Sequence, residues 1–318
     1  MSTIPLSLLG LEDDSATECM VADDYQKKPG KWCSGCGDFG ALNSLKRLLA
    51  KEQLKPEKIA VVSGIGCSSR FPHYVNSFGF HGIHGRALPV ATGLKLARPD
   101  IDVFVVTGDG DCTSIGAGHW IHATRYNTNM TVMLLDNNIY GLTKNQTSPT
   151  TPQGHASMTS PRGAVLPPLD PLQATLGITN ASFVAQTADW VPAHMYATLE
   201  AAYHHKGFSF IHILQRCPKF TADVFLENVK NPDLTELLVH KDGVNAPGLD
   251  KLFKNQRTHD PKDIDEARLL AARTDKLRLG IFFKDDSHPV YDEIRAVPPV
   301  TPEEKVAKLE KEFDRYAV

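Results

Sequence analysis

"VVTGDGDCTSIGAG", Val105 to Gly118, breaks from an apolar strand into a glycine-rich turn with helix-forming sequence beyond it. That layout commonly receives a phosphate. Glycines let the backbone come close, and a helix N-terminus offers free N–H groups. Here, however, the turn carries Asp109 and Asp111 and no lysine. A carboxylate repels a pyrophosphate unless a cation stands between them. Mg²⁺ takes about six oxygen ligands in an octahedron, and Asp109 can supply one. Others have to come from the end of a neighbouring parallel strand, where sites in open α/β sheets form. "LLDNNIYGLT" (134–143) has that position. Asn137 offers an amide oxygen, and Ile139 is the best placed of the following residues to offer a backbone carbonyl. Taken alone, a Gly-Asp-Gly is often only a tight turn and an Asn-Asn only a loop. Both together, each ending an apolar strand, favour an anion bound through a metal.

The flanking sequence sets these turns in an alternating pattern. "DFGALNSLKRLLAKEQL" from Asp38 puts Leu42, Leu45, Leu48 and Leu49 at helical spacing. "KIAVVSGIGC" (58–67) is a short apolar strand entering a glycine turn, and "GRALPVATGLKLARPD" (85–100) a helix. Strand 101–110, helix 113–127 and strand 130–138 follow. "PLQATLG" and "WVPAHMYATLEAAYHH" read as further helices and "FSFIHILQRC" (208–217) as a last strand. Strand–helix–strand alternation with short links predicts an α/β fold, a parallel sheet with helices on both faces. The expected organisation is an N-terminal arm (1–30), an α/β core (31–220) and a charged, proline-punctuated C-terminal extension (221–318) with helices near 261–275 and 302–315. The arm is expected to be disordered alone or ordered against a partner. The extension is expected to bind a partner or to form a helical cap.

The bulk numbers exclude several classes. The chain has 318 residues, 42% hydrophobic and 22% charged, with net charge −3. It shows no basic stripe for nucleic acid and no apolar run near the roughly 18 residues of a membrane span. The start, "MSTIPLSLLGLEDDSATECM", does not read as a signal peptide, so a cytoplasmic location is expected. Cysteines stand at 19, 33, 36, 67, 112 and 217. In a reducing compartment a Cys-x-x-Cys pair points to metal or redox work. Cys33 and Cys36 in "KWCSGCGDFG", Cys67 in "SGIGCSSRFPHY" and Cys217 in "LQRCPKF" can together hold a [4Fe–4S] cluster. Zinc is the rival ligand for the same four. Cys19 and Cys112 read as ordinary small residues. A Rossmann dehydrogenase is disfavoured, because no G-x-G-x-x-G follows a strand with a ribose-binding acid beyond.

GDG followed by NN resembles the thiamine diphosphate (TPP) motif, which implies a pyrophosphate-type TPP-binding fold. Together with W-C-x-G-C-G, S-G-I-G-C-S, "HGIHGRALPVATGLKLA" (81–97), "DNNIYGLTKNQTSPT" (136–150) and the final C-P, the chain resembles the β subunit of 2-oxoacid:ferredoxin oxidoreductases over most of 31–220. The resemblance implies Mg²⁺ on Asp109, Asn137 and the Ile139 carbonyl, and one [4Fe–4S] cluster on Cys33, Cys36, Cys67 and Cys217. It places Ile65, Gly66, Cys67 and Ser68 against TPP, with Gly108, Gly110 and Asp111 by the diphosphate. His84 and Gly85 approach the same group, and Gly141, Leu142 and Thr143 close over the cofactor. Arg70 is a candidate clamp for a substrate carboxylate. Asn145 departs from the glycine common in the family, beside the site but at no expected ligand.

The implied reaction converts a 2-oxoacid and coenzyme A to acyl-CoA, CO₂ and reduced ferredoxin, reversibly, with 2-oxoglutarate favoured over pyruvate. An α subunit is the implied partner, in a dimer of αβ units. It would supply the glutamate that faces the aminopyrimidine ring. Rival readings are a non-redox TPP decarboxylase or synthase subunit, which leaves the four cysteines idle, and a zinc-stabilised non-catalytic module, which leaves the acidic turn idle.

Overall fold

The structure, a computed structural model, describes residues 19–241, 243–244, 246–296 and 300–316. Its first half contains α1 (Asp38–Lys51), β1 (Ile59–Ser63), β2 (Phe78–His81), α2 (Ala87–Ala97), β3 (Asp102–Gly108), α3 (Ala117–Tyr126) and β4 (Met130–Asp136). Then come α4 (Pro171–Leu176), β5 (Phe183–Ala188), α5 (Pro192–Tyr203) and β6 (Phe208–Leu214). The tail adds α6 (Leu226–Lys230), β7 (Thr235–Val239), α7 (Leu249–Leu252), β8 (Gln256–Thr258), α8 (Ile264–Ala272), β9 (Leu277–Lys284), α9 (Tyr291–Ile294) and α10 (Pro302–Asp314).

The strands make one nine-stranded sheet in the order β2-β1-β3-β4-β6-β5-β9-β7-β8, and β1 to β6 are mutually parallel. A parallel strand covered on both sides reads as a continuous apolar run rather than an alternating one. β4, "MTVMLLD", is accordingly buried along its whole length. Successive side chains still go to opposite faces. Val62, Val105, Val132 and Leu134 pack with residues of α2, α3, α4 and α8. Val61, Phe104, Val106, Met133 and Leu135 pack with α1 and α5. The helical stripe of α1 sits in that second layer, with Leu45, Leu48 and Leu49 fully buried. Truncating one of them to alanine costs about 2–5 kcal/mol.

Two parts of the expected organisation change. The tail is more than a helical cap: β9 pairs antiparallel with β5, β7 parallel with β9, and β8 with β7, so it continues the core sheet. The strand signal was hidden by charge, since β9 carries Arg278. That guanidinium is only 3% exposed and is neutralised inside, donating to Glu236 Oε2 (2.8 Å) and the Arg273 carbonyl (2.8 Å). Of the N-terminal arm, residues 1–18 lie outside the described residues, while the rest packs on the chain's own core. Tyr25 is fully buried, and its single hydroxyl proton is offered to the Leu54 carbonyl (2.7 Å), with the Leu49 carbonyl 3.0 Å away.

Candidate active site

The C-terminal ends of β1, β3, β4 and β6 are neighbours in the sheet, and each continues into a marked segment. β1 runs into Gly64–Ser68, β3 into Asp109–Asp111, β4 into Asn137–Ile139 and β6 into Gln215–Cys217. A cleft opens there. Ile65, Gly66, Cys67, Ser68, His84, Gly108, Asp109, Gly110, Asp111, Asn137, Ile139, Gly141, Leu142 and Thr143 all line it. Gly85 lies one step behind the wall. Its positive φ of 73° and a Cβ position 2.7 Å from the Gly116 nitrogen leave room only for glycine.

Asp111 works as an organiser. Its carboxylate, 2% exposed, accepts from the Ile65 N–H (3.1 Å), the Gly85 N–H (2.7 Å) and the Thr107 hydroxyl (2.7 Å), and His84 Nδ1 lies 2.7 Å away. One side chain thus locks the β1 turn, the β3 end and the 84–85 turn into one frame. A Cβ on Gly64 would be driven into this carboxylate. Gly64→Ala is therefore expected to destabilise by roughly 2 kcal/mol through overpacking and to weaken cofactor binding. Thermal melting and a TPP titration would check both. Gly110 has a different reason from the one its motif suggests. Its missing Cβ makes room for the Tyr140 ring, whose hydroxyl donates to the Gly110 carbonyl (3.0 Å). After the acidic turn the chain makes a π-helical turn, Asp111–Ile115, before α3, so the helix starts later than its sequence pattern indicated. Such wide turns concentrate at functional sites.

Asp109 is 3% exposed and Asp136 is 1% exposed. Burial first, and then the neighbouring Asp136 charge, holds the Asp109 carboxyl well above the usual carboxylate range. Thr150 Oγ1 lies 2.8 Å from Asp109 Oδ2 and 2.8 Å from Asp136 Oδ1, yet it has one hydrogen to give. Asp136 is otherwise well supplied, by the Asn138 N–H (3.0 Å), Asn138 Nδ2 (2.9 Å) and His212 Nε2 (2.8 Å). Asp109 has Ser148 and the Gly110 N–H as further partners, and it is the member that faces the cleft. These contacts hold Asn138 at φ 58°, and that turn puts Asn137 and Ile139 on the cleft wall. The donor set is all oxygen, anionic and short of positive charge, which suits a hard divalent cation.

The four cysteines converge beside the cleft from three segments. The Cys36 N–H bonds the Cys33 carbonyl (3.1 Å), and the Gly37 N–H bonds the Arg216 carbonyl (3.2 Å), tying the first pair to the Cys217 segment. Trp32 Nε1 donates to the Cys67 carbonyl (2.7 Å). Burial pushes the Cys67 thiol up to about 12, helped by the charges of Asp38, Cys217 and Cys33. Cys36 is raised further still, by burial and then by Asp38. Gln215 Nε2 lies 3.3 Å from Cys36 Sγ as a donor. Crowding makes a bare thiolate set unfavourable here, and bound cations reverse that cost. Among the described residues the one triad of Cys, His, Asp or Glu ligand atoms lying mutually within 4.8 Å is Glu52, Glu200 and His204. So no three of the four sulfurs approach the roughly 3.8 Å separation set by a zinc tetrahedron with Zn–S near 2.3 Å. Cys67 belongs to both assemblies, for it lines the cleft and senses Cys33 and Cys217.

Arg70 is the exception among the expected residues. It does not line the cleft; its guanidinium donates to the Lys31 carbonyl (2.6 Å) and lies 5.6 Å from the Tyr74 ring centre, on the cysteine side. Leu135 and Tyr140 line the cleft without having been singled out. Tyr140 was within reach, since it stands inside the Asn-Asn motif. Leu135 was hidden among the strand's apolar residues.

Residues 64–213 match the thiamine pyrophosphate enzyme C-terminal TPP-binding domain. The chain is 35% identical over 263 residues to the 2-oxoacid:ferredoxin oxidoreductase 2 subunit beta of Aeropyrum pernix, across 83% of this chain and 82% of that one. It belongs to the 2-oxoacid:ferredoxin oxidoreductase β-subunit family. Within this family it is 48% identical over 195 residues to the 2-oxoglutarate oxidoreductase subunit KorB of Mycobacterium tuberculosis, a stretch that spans 52% of that relative's length. A solved 2-oxoglutarate:ferredoxin oxidoreductase from Magnetococcus marinus, with 2-oxoglutarate, coenzyme A and succinyl-CoA bound, superposes with TM-score 0.76 at 36% identity. That match covers 94% of this oxidoreductase chain and 93% of its neighbour.

Proposed function

We propose that this chain is the cofactor-bearing β subunit of a 2-oxoglutarate:ferredoxin oxidoreductase. With an α subunit it would convert 2-oxoglutarate, coenzyme A and two oxidised ferredoxins to succinyl-CoA, CO₂, two reduced ferredoxins and a proton. The observation that carries this reading is Cys67, which stands at once in the wall of a TPP-type cleft and in a set of four thiols. The relatives' names and the 2-oxoglutarate of the neighbouring structure support 2-oxoglutarate as the acid. The β designation of the relatives supports an α partner in an αβ unit. All six cysteines are free, and among the described residues no helix is long and apolar enough to cross a membrane.

TPP supplies an electron sink for decarboxylation and a [4Fe–4S] cluster accepts single electrons; the chain's residues hold and arrange both. Asp109, Asn137 and the Ile139 carbonyl hold Mg²⁺, and the metal's charge relieves the crowding of Asp109 against Asp136. Asp111 fixes the loops of Ile65, His84 and Gly85 that flank the cofactor. Leu135 and Ile139, both buried, keep water from the cleft wall, which strengthens the charge interactions inside it. Cys33, Cys36, Cys67 and Cys217 hold the cluster, with Cys67 as the shortest path from cleft to thiol set.

The test is CoA-dependent acceptor reduction by the anaerobically purified αβ complex, with kcat/KM compared for 2-oxoglutarate and pyruvate. A preference for 2-oxoglutarate of about 10-fold or more is expected, in line with the acid named for the relatives and bound in the neighbouring structure. A preference for pyruvate would overturn the substrate. Decarboxylation at full rate by this chain alone would overturn the need for a partner.

A further inference from the structure

The segment leading into Cys33 carries Lys27, Lys28 and Lys31, all exposed. It is held in place by its backbone. The Lys27 N–H donates to the Tyr74 carbonyl (2.8 Å), Gln26 bridges Val75, and the Lys31 carbonyl accepts from Arg70 (2.6 Å). Trp32 Nε1 then closes onto the Cys67 carbonyl (2.7 Å). The three lysines therefore stand at fixed places beside the thiol set and do not lie on a loose tail. Arg70, His73 and exposed His81 complete the patch, and His73 senses His81, Arg70, Lys28 and Lys27 together. Among the described residues, none of Lys27, Lys28, Lys31 and Arg70 is in an ion pair, whereas Lys51, Lys58 and Lys206 each have an acidic partner. The acids on the same segment are Asp23 and Asp24, and Asp24 Oδ2 is engaged by the Val21 N–H. This uncompensated cationic collar occurs on a chain whose net charge is −3. The segment that carries it runs directly into Cys33, an exposed member of the thiol set. That is where the cluster comes nearest to solvent, and where an electron has to leave.

We propose that the collar of Lys27, Lys28 and Lys31 is the docking surface for the electron acceptor, a carrier protein with an acidic face around its own redox centre. The proposal rests on the reading that the four cysteines hold a cluster, and it adds where the electrons exit. Attraction between a cationic collar and an acidic face raises encounter rates and orients the two centres, and it weakens steeply with salt. The lysines contribute charge only, because the bonds that fix their segment run through backbone atoms.

The test uses the assembled αβ complex with an acidic ferredoxin, and with metronidazole as a small neutral acceptor, at two ionic strengths. The triple variant Lys27→Glu, Lys28→Glu, Lys31→Glu is expected to raise KM for the ferredoxin about 10-fold or more at low salt. It should also flatten the salt dependence and leave iron content and metronidazole reduction unchanged. In the opposite sense, Asp23→Lys is expected to lower the ferredoxin KM, an effect that misfolding cannot imitate. Unchanged ferredoxin KM in iron-loaded variants overturns the docking surface and leaves the cluster reading intact. An equal loss with both acceptors, or a failure to assemble with the α subunit, also overturns it, since the collar would then serve folding or assembly. A wild-type complex without iron in this chain overturns the cluster reading itself.

Discussion

Replacing Cys36 by alanine is expected to abolish ferredoxin reduction, by about 10³-fold or more, while Mg²⁺–TPP still binds. Cys36 sits in the thiol set, where it accepts from Gln215 and bonds Asp38, but it is absent from the cleft wall. Its loss therefore separates the two halves of the site, as Cys67 cannot, because Cys67 belongs to both. A 10³-fold loss corresponds to about 4 kcal/mol of barrier. The visible spectrum and iron content should fall with the activity. The affinity for TPP, measured by calorimetry, should stay within a few-fold of wild type. Loss of TPP binding in step with the iron would mean that the thiol set is structural support for the cleft.

The second large effect has opposite signs with and without cofactor. Asp109→Asn keeps the shape and the acceptor for Thr150 but removes a buried carboxyl that can ionise beside Asp136 only at a cost. The cofactor-free protein should become more stable, with Tm higher by about 2 °C for each kcal/mol relieved. The TPP affinity in the presence of Mg²⁺ should fall about 100-fold, as expected for an altered metal site. The pH dependence follows from the same raised carboxyl. The folded cofactor-free chain retains a proton on Asp109 that the unfolded chain has already lost, so this group's contribution to stability declines as pH rises above the ordinary carboxylate value of about 4. Mg²⁺ has to displace that proton. The gain in Tm on adding Mg²⁺ and TPP should therefore grow as pH rises toward neutrality, and Asp109→Asn should flatten the trend. A cofactor-induced gain independent of pH in the wild type would show that Asp109 is not a ligand.

Sequence revealed the sheet wherever apolar runs ended in glycine or asparagine turns. β1, β3 and β4 were legible for that reason, and so were the cleft residues that hang from their ends; β6 was legible as an apolar run entering Cys217 and Pro218. It failed where tertiary partners supply what local pattern lacks. β9 carries Arg278, which looks like surface until Glu236 and the Arg273 carbonyl are seen to neutralise it. β2, "FGFH", is exposed along its length and has no alternation to read. Tyr25 appeared to belong to a polar arm, because its two carbonyl partners lie 24 and 29 residues away. At the site itself the roles proposed for Asp109 and the cysteines were drawn from residue type. The work of Asp111 was not. Its partners come from three separate turns, and only folding brings them to one carboxylate. Gly110 adds a requirement its motif does not show: a Cβ there would meet the Tyr140 ring.

The central claim is that one chain joins a TPP cleft to an iron–sulfur cluster through Cys67. The most direct measurement is the metal and sulfide content of this chain, purified anaerobically with its partner, alongside its visible spectrum before and after 2-oxoglutarate and coenzyme A. The account predicts about four irons and four sulfides per chain, with visible absorbance that bleaches on adding both substrates. A colourless protein holding one zinc would contradict it, leaving a cleft with no electron acceptor beside it.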